Sequence, residues 1–155
     1  MSDGDGPYLF DVGAVALAHA GTPVSDTALS YVRRAIAGEI EAVVPYPALF
    51  GAHIVLTNYY RFSNGEASEL MRNFMDARRI HWHGGMSEGT VRAAFERAAR
   101  MNVDGWDGYY AEVAAIEGAG TILTVDTDFE DVEGVGAEMV LTPEEQRQLA
   151  EFLGH

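Results

Sequence analysis

Cysteine and lysine are both absent from this chain of 155 residues. Without cysteine, the chain forms neither disulfides nor thiolate metal sites. Its longest apolar runs fall well short of the roughly 20 residues that a membrane-spanning helix needs. The acidic start Met-Ser-Asp-Gly-Asp-Gly is unlike a signal peptide. We therefore expect a cytoplasmic protein that makes no contact with membranes.

The missing lysine leaves a strongly acidic chain, with ten arginines, 24 acidic residues and a formal net charge of −14. Excess negative charge usually argues against nucleic-acid binding, because phosphate contacts need cations. Acidic surfaces without lysine also resemble those of proteins from salt-accumulating archaea. At about 1 M salt the Debye length is only about 3 Å, so self-repulsion is screened. We interpret the charge as a halophilic signal that does not exclude an RNA substrate.

Strand and helix signals alternate along the chain, and 48% of the residues are hydrophobic, which is typical of one globular domain. Short apolar runs predict strands at 8–10, 42–44, 80–82, 121–125 and 138–141. Helices are predicted at 12–19, 48–62, 66–78, 87–101, 104–117 and 143–153. A further helix is predicted to begin at a cap formed by Ser25 or Asp26 and to end at Gly38. This order predicts a three-layer α/β/α fold with a central parallel sheet. We expect a flexible acidic tail at 1–6 and one domain at 7–155.

Three aspartates lie at or near the ends of these predicted strands and helices. Asp11 directly follows the first predicted strand, and Asp126 follows the strand at 121–125. Ligands of open parallel sheets bind at the carboxyl ends of the strands, although either aspartate alone could be a helix cap or a turn former. Asp107 lies one turn into an alanine-rich helix that Asp104 is placed to cap. Its simpler role would be to stabilise the helix dipole.

These segments resemble the acidic motifs of the PIN-domain family. The resemblance rests on Asp11 behind the first strand, on the Asp-Gly-Tyr-Tyr-Ala helix start at Asp107, and on Leu-Thr-Val-Asp-Thr-Asp-Phe around Asp126. It covers about residues 8–141. Many prokaryotic members are VapC-type ribonuclease toxins of toxin–antitoxin pairs, and such toxins commonly form homodimers. The resemblance therefore implies a metal-dependent endoribonuclease with RNA as substrate, a cognate antitoxin as partner, and a homodimer contact on the helix at 48–62.

The implied metal is Mg²⁺ or Mn²⁺. Clustered carboxylates raise one another's pKa, and a hard cation bound through carboxylate oxygens and water relieves that repulsion. The ion also lowers the pKa of a bound water and neutralises charge on the phosphate. We predict Asp11 and Asp126 as direct catalytic ligands and Asp107 as a ligand either directly or through water. Asp104 and Asp128 are reserve ligands, and the simpler role of Asp128 is a turn acid.

The sequence departs from the PIN pattern at two places. The family usually carries a glutamate on the helix after the second strand, and the spacing from Pro45 puts that position near Gly51 or Ala52. The family often has a hydroxyl residue beyond the first aspartate, where this chain has Val12 and Gly13. Both losses weaken a metal site. They leave open an alternative function, a degenerate PIN fold that binds RNA or a protein partner without cleavage.

Three histidines are further candidates for metal binding. His53 lies near the position of the missing glutamate and could replace it, or it could be a core or interface residue. His81 and His83 alternate along a predicted strand, so their side chains point to one face. They could form a metal pair or a solvated strand end.

Substrate contacts are assigned to Arg33, Arg61 and Tyr59. The two arginines could reach phosphates, and Tyr59 could stack on a base. Alternatively, the two arginines could form surface ion pairs, and Tyr59 could pack in the core or at a dimer surface. Two other α/β classes fit poorly: receiver domains rely on a lysine, and dinucleotide-binding domains need Gly-x-Gly-x-x-Gly after the first strand.

Overall fold

Short buried strands alternate with helices in the computed structural model, which describes residues 7–125 and 136–154. In chain order the elements are β1 Tyr8–Phe10, α1 Val12–Ala20, α2 Ser25–Ile36, β2 Ala42–Pro45, α3 Tyr46–Asn58, α4 Asn64–Phe74, β3 His81–His83, α5 Glu88–Met101, α6 Gly105–Glu117, β4 Thr121–Thr124, β5 Gly136–Met139 and α7 Pro143–Leu153. Among the helices in these ranges, none combines the length and apolar character that a bilayer crossing demands.

The strands form one parallel sheet in the order β3-β2-β1-β4-β5. Leu9 of β1 pairs with Val43 on one side and with Ile122 on the other. The predicted parallel sheet is therefore confirmed. The chain order reverses between β1 and β4, which makes the crevice beyond their carboxyl ends the usual ligand site of such a sheet.

Alternate residues of the central strands face opposite layers of helices. Phe10 and Leu123 point to the layer that contains α1, α2, α3, α4 and α7. Leu9 and Ile122 point to the layer that contains α5 and α6. Both faces of the sheet are covered, which explains why its strands are apolar throughout. The three-layer α/β/α architecture predicted from the sequence is confirmed.

The start of α2 differs from the prediction. The N-cap position is Val24, which makes no side-chain cap hydrogen bond, so the predicted cap at Ser25 or Asp26 is wrong. The Ser25 hydroxyl instead accepts a hydrogen bond of 2.9 Å from the Thr22 amide. Ser25 is buried in the first turn, and its side chain therefore closes the preceding loop and does not cap the helix.

The helix predicted at 48–62 is shifted towards the N-terminus. It begins at Tyr46, directly after the extended Pro45, and ends at Asn58. Arg61 then adopts a φ of 66°, in the left-handed region, so the helix cannot continue through it. Tyr59 is the C-cap residue of α3, with helical backbone angles and an amide that donates a hydrogen bond of 2.9 Å to the Val55 carbonyl. The predicted turn at 63–65 is likewise the start of α4, which Ser63 caps with a capping box.

Helices α5 and α6 approach each other closely at Gly108. A Cβ atom added to Gly108 would lie 2.2 Å from the Ala94 carbonyl oxygen and 2.9 Å from the Ala98 Cβ. The first of these neighbours is backbone, so it cannot turn aside as a flexible side chain would. The glycine next to Asp107 therefore sets how closely α6 packs on α5.

We predict that Gly108→Ala lowers the free energy of unfolding by about 1–3 kcal/mol, because overpacking forces backbone shifts. Denaturant unfolding at high salt measures the change. Gly89→Ala is the matched control, since a Cβ there meets only the Ser87 hydroxyl at 3.7 Å. The control should be neutral or slightly stabilising. Equal losses of stability in the two variants would contradict the close packing.

Candidate functional site

Asp11 lies at the point where the strand order reverses. It is only 6% exposed, and its amide donates a hydrogen bond of 3.2 Å to the carbonyl of Leu123 in β4. Its Oδ1 accepts a hydrogen bond of 2.8 Å from the Ala14 amide and caps α1. The carboxylate is thus fixed by β1, β4 and α1 together. The strand-end placement and the capping role expected of this residue are both observed.

The first turn of α1 lies directly against the end of β4. A Cβ atom on Gly13 would lie 2.4 Å from Cγ2 of Val125, so a larger residue would push the two elements apart. Val125 is the residue before Asp126 in the chain. Asp126 and Asp128, two of the predicted ligands, lie outside the described residues.

Tyr110 connects Asp11 to the helix that carries Asp107. The Val12 amide donates a hydrogen bond of 2.9 Å to the Tyr110 hydroxyl, which is buried. Burial raises the pKa of Tyr110 well above its ordinary value, and the negative charges of Asp11 and Asp107 raise it further. Both carboxylates therefore act on the same buried hydroxyl. The structure brings the first turn of α6 to the carboxyl end of β1, as the sequence predicts.

Asp104 caps α6 and is exposed. Its Oδ1 accepts a hydrogen bond of 2.9 Å from the Asp107 amide, so the predicted capping role is confirmed. Asp107 is half-buried in the first turn. Within residues 7–125 and 136–154, no group of three or more histidines and acidic residues is arranged to hold a metal ion.

Gly51, one of the two positions near which the PIN pattern has a glutamate, faces apolar side chains. Gly51 is buried, and a Cβ there would lie 2.5 Å from Cγ2 of Val12 and 3.4 Å from Cζ2 of Trp106. Trp106 stacks on Tyr110 with a centroid distance of 5.7 Å and an interplanar angle of 20°. The two departures from the family pattern are therefore in direct contact. Sequence reasoning missed Trp106, although it stands next to Asp107.

His53 points away from Asp11 and towards α4. Its Nε2 lies 3.0 Å from the Ser68 hydroxyl and 3.3 Å from the Asn64 carbonyl oxygen. The residue therefore joins α3 to α4, in agreement with its alternative role in packing. These contacts give no support to His53 as a replacement ligand beside Asp11.

His81 and His83 converge on Glu117, the last residue of α6. One oxygen, Glu117 Oε2, lies 3.0 Å from His81 Nε2 and 2.5 Å from His83 Nδ1. His83 is only 7% exposed, so the expectation of a solvated strand end is wrong for this residue. Burial would raise the pKa of Glu117, but the hydrogen bonds from His83 and His81 outweigh it and lower the pKa. Glu117 is 34 residues from His83 in the chain, so no local pattern indicated this contact.

One of the three predicted substrate contacts, Tyr59, lies near the carboxyl edge. Tyr59 is 44% exposed and lines a cleft together with Val12, Gly13 and Val125. Arg61 is exposed and follows Tyr59 by two residues. The structure therefore places Tyr59 beside the residues that flank Asp11, with Arg61 close to it in the chain.

Arg33 lies at the opposite edge of the sheet. It is in the last turn of α2, and its carbonyl accepts a hydrogen bond from the Ala37 amide. The Ala37 carbonyl in turn accepts a hydrogen bond of 2.8 Å from Arg79, which stands two residues before β3. This end of α2 is therefore near the amino ends of the strands. The position gives no support to a phosphate contact by Arg33 beside Asp11.

Comparison with known proteins assigns the chain to no family. No family model matches it, and no curated protein matches it. The resemblance to PIN domains therefore rests on the acidic segments of the sequence, of which those at Asp11 and Asp107 lie at the carboxyl edge of the parallel sheet.

We predict that Glu117→Gln destabilises the protein by about 1–3 kcal/mol at neutral pH, because the hydrogen bonds to a charged group are weakened. The pKa of Glu117 is lowered by folding, so its contribution is present above the ordinary value of 4.5 and is lost as the pH falls through the lower value of the folded state. Denaturant unfolding over a pH series measures the difference. It should shrink on acidification, and exposed Glu96→Gln is the control. A difference that is independent of pH would contradict this assignment.

Proposed function

We propose that this protein is a metal-dependent endoribonuclease of PIN type, the toxin of a toxin–antitoxin pair, acting in the cytoplasm. One observation carries the proposal. Asp11 and the helix that bears Asp107 are held together by the Tyr110 hydroxyl at the reversal point of a parallel sheet. Perturbed ionisable groups clustered in such a crevice are typical of functional sites.

The side chains at this edge suit a hard divalent cation. Asp11 and Asp107 offer carboxylate oxygens, and Asp126 follows β4 in the chain. Such oxygens are the ligands that Mg²⁺ and Mn²⁺ prefer. When bound, the ion would supply an activated water and neutralise charge on the scissile phosphate.

The surrounding residues prepare the carboxylates for this role. The Ala14 amide fixes the orientation of Asp11. Tyr110 is a neutral phenol at neutral pH, and its raised pKa keeps it neutral in more alkaline solution, so it adds no further negative charge beside the two aspartates. Burial of Asp11 limits its exposure to bulk water, which strengthens electrostatic interactions at the site.

A specific observation favours a second function, binding of RNA or a protein partner without cleavage. Gly51 and Val12 are in contact near the positions where the PIN pattern has a carboxylate and a hydroxyl group, and Trp106 lies against position 51. Each lost oxygen ligand weakens cation binding. In this alternative, the fold and the crevice are the same, but the protein binds its partner and does not cleave RNA.

The outer face of α3 supports a homodimer as part of the same proposal. Tyr46, Phe50 and Ile54 recur every fourth residue and are 40%, 77% and 57% exposed. Residues at this spacing share one side of a helix. An exposed apolar stripe of this kind is typical of a protein interface.

We expect Asp11→Asn to reduce metal-dependent RNA cleavage by at least about 100-fold, which corresponds to about 2.7 kcal/mol of transition-state stabilisation. Asparagine is also a good N-cap, so α1 should remain folded and the loss should report the missing charge. Cleavage of structured RNA is measured during titration with Mn²⁺ or Mg²⁺ at high salt. Exposed Asp76→Asn is the matched control and should retain activity. Wild-type cleavage no greater than that of Asp11→Asn would rule out the nuclease.

We also expect the double variant Val12→Ser, Gly51→Glu to bind Mn²⁺ about tenfold more tightly than the wild type, because a carboxylate is added beside Asp11. Calorimetry measures the affinity. The single variant Gly51→Glu should gain less, since its Cβ would lie 2.5 Å from the Val12 side chain. Unchanged affinity in the double variant would show that position 51 does not face the metal site.

A further inference from the structure

A cleft opens beside Asp11 on the side of the sheet that faces α3 and α7. Its volume is about 360 Å³, within the range of small-molecule sites. Val12, Gly13 and Val125 form the wall nearest to Asp11, and Tyr59 and Gln146 are among the residues that complete it. Since a Cβ atom on Gly13 would lie 3.6 Å from Asp11 Oδ1, the cleft lies beside the site proposed for the metal and the scissile phosphate.

The described residues that line this cleft are uncharged. Its walls are formed by aliphatic side chains, by Tyr59 and Tyr60, and by the carboxamide of Gln146. Burial raises the pKa of Tyr60 to about 12, so this phenol is neutral at ordinary pH. A phosphate or a metal ion would find no opposite charge among these lining residues. An apolar ring with polar edges would suit them.

Tyr59 presents an aromatic face in this setting. It is 44% exposed, and the edge-on ring of Tyr60 supports it at a centroid distance of 5.1 Å and an angle of 85°. A partly exposed ring held by a second ring is suited to stacking. Bases stack on such side chains whatever their sequence, because every base has a π face.

Gln146 supplies hydrogen-bonding groups on the opposite element, α7. Its Nε2 donates a hydrogen bond of 3.2 Å to the Val125 carbonyl, which fixes the carboxamide at the end of β4. A carboxamide carries two N–H donors and an oxygen with two lone pairs. Because only one N–H of Gln146 is used by the Val125 carbonyl, its other N–H and its oxygen can form hydrogen bonds with the polar edge of a ring.

We propose that this cleft binds one nucleobase of the RNA substrate, with Tyr59 stacking on the base and Gln146 hydrogen-bonding to its edge. This inference rests on the proposed function and specifies a part of the substrate beside the scissile phosphate. The base occupies the uncharged cleft, while the phosphate lies at the acidic edge formed by Asp11 and Asp107. Arg61 is exposed and lies two residues beyond Tyr59, which makes it the cationic residue closest in sequence to the stacking ring.

The test uses the full chain at high salt and does not depend on RNA cleavage. ¹⁵N-labelled protein is titrated with the four nucleoside monophosphates and, separately, with ribose 5-phosphate, which lacks the base. The nucleotides should shift the amide signals of Val12, Gly13 and Val125 and the side-chain amide of Gln146. Ribose 5-phosphate should leave these signals unchanged.

Variants at Tyr59 show whether stacking holds the base. Tyr59→Leu should weaken nucleotide binding about 5- to 100-fold, and Tyr59→Phe should keep the wild-type affinity because the ring remains. Tyr46→Leu is the matched control, since Tyr46 is also exposed but stacks on Trp82 on α3's outer side. Gln146→Leu should reduce the differences in affinity among the four bases. The amide spectrum of each variant reports whether it is folded.

The outcomes separate this inference from the nuclease proposal. Nucleotide binding at the cleft that needs the Tyr59 ring supports the base site, whether or not the protein cleaves RNA. Equal shifts with ribose 5-phosphate, no shifts at the cleft, or full affinity in folded Tyr59→Leu would overturn it. Metal-dependent cleavage that is lost in Asp11→Asn would then still support the nuclease.

Discussion

The buried hydrogen bond from the Val12 amide to the Tyr110 hydroxyl fixes the geometry on which the rest of the site depends. An amide at the first position of a helix lacks an intrahelical acceptor, and leaving it unpaired in the interior would cost about 1–3 kcal/mol. Tyr110 satisfies it from α6, on the far side of the sheet's edge. The same contact brings Asp107 to Asp11, so the position of the acidic pair follows from a requirement of the backbone.

Close approach of backbone elements divides the crevice into two parts of different character. Gly13 lets α1 meet the end of β4, and Gly51 lets α3 lie over Val12. On the α6 side of Asp11 the crevice is acidic. On the α3 and α7 side, the residues that the structure describes along the cleft are uncharged and partly aromatic. A phosphodiester strand has the same two kinds of surface, a charged backbone that a metal can neutralise and bases that stack.

The sequence predicted the layers and the strand-end position of Asp11, since both follow from local patterns. Alternating apolar strands and amphipathic helices give the parallel sheet, and the cap at Asp104 follows from residue type alone. The roles of Tyr110, Trp106 and Glu117 were not predicted, because each depends on contacts between residues far apart in the chain. The end of α3 was missed for a different reason. An apolar run continued beyond Asn58, and hydrophobic spacing does not reveal where Arg61 turns the chain.

The two places where the sequence departs from the PIN pattern that it resembles meet in the structure. Val12 occupies the space that a side chain at position 51 would need, and Trp106 also lies against position 51. A polar group introduced at either position alone would therefore meet an apolar neighbour and lack a hydrogen-bond partner, which is costly in a buried site. Under the proposed function, the site would have fewer carboxylates than the PIN pattern, so there would be less repulsion for a cation to relieve and the cation would be held more weakly. Substrate affinity would then depend more on contacts away from the metal, in the part of the crevice where the tyrosines lie.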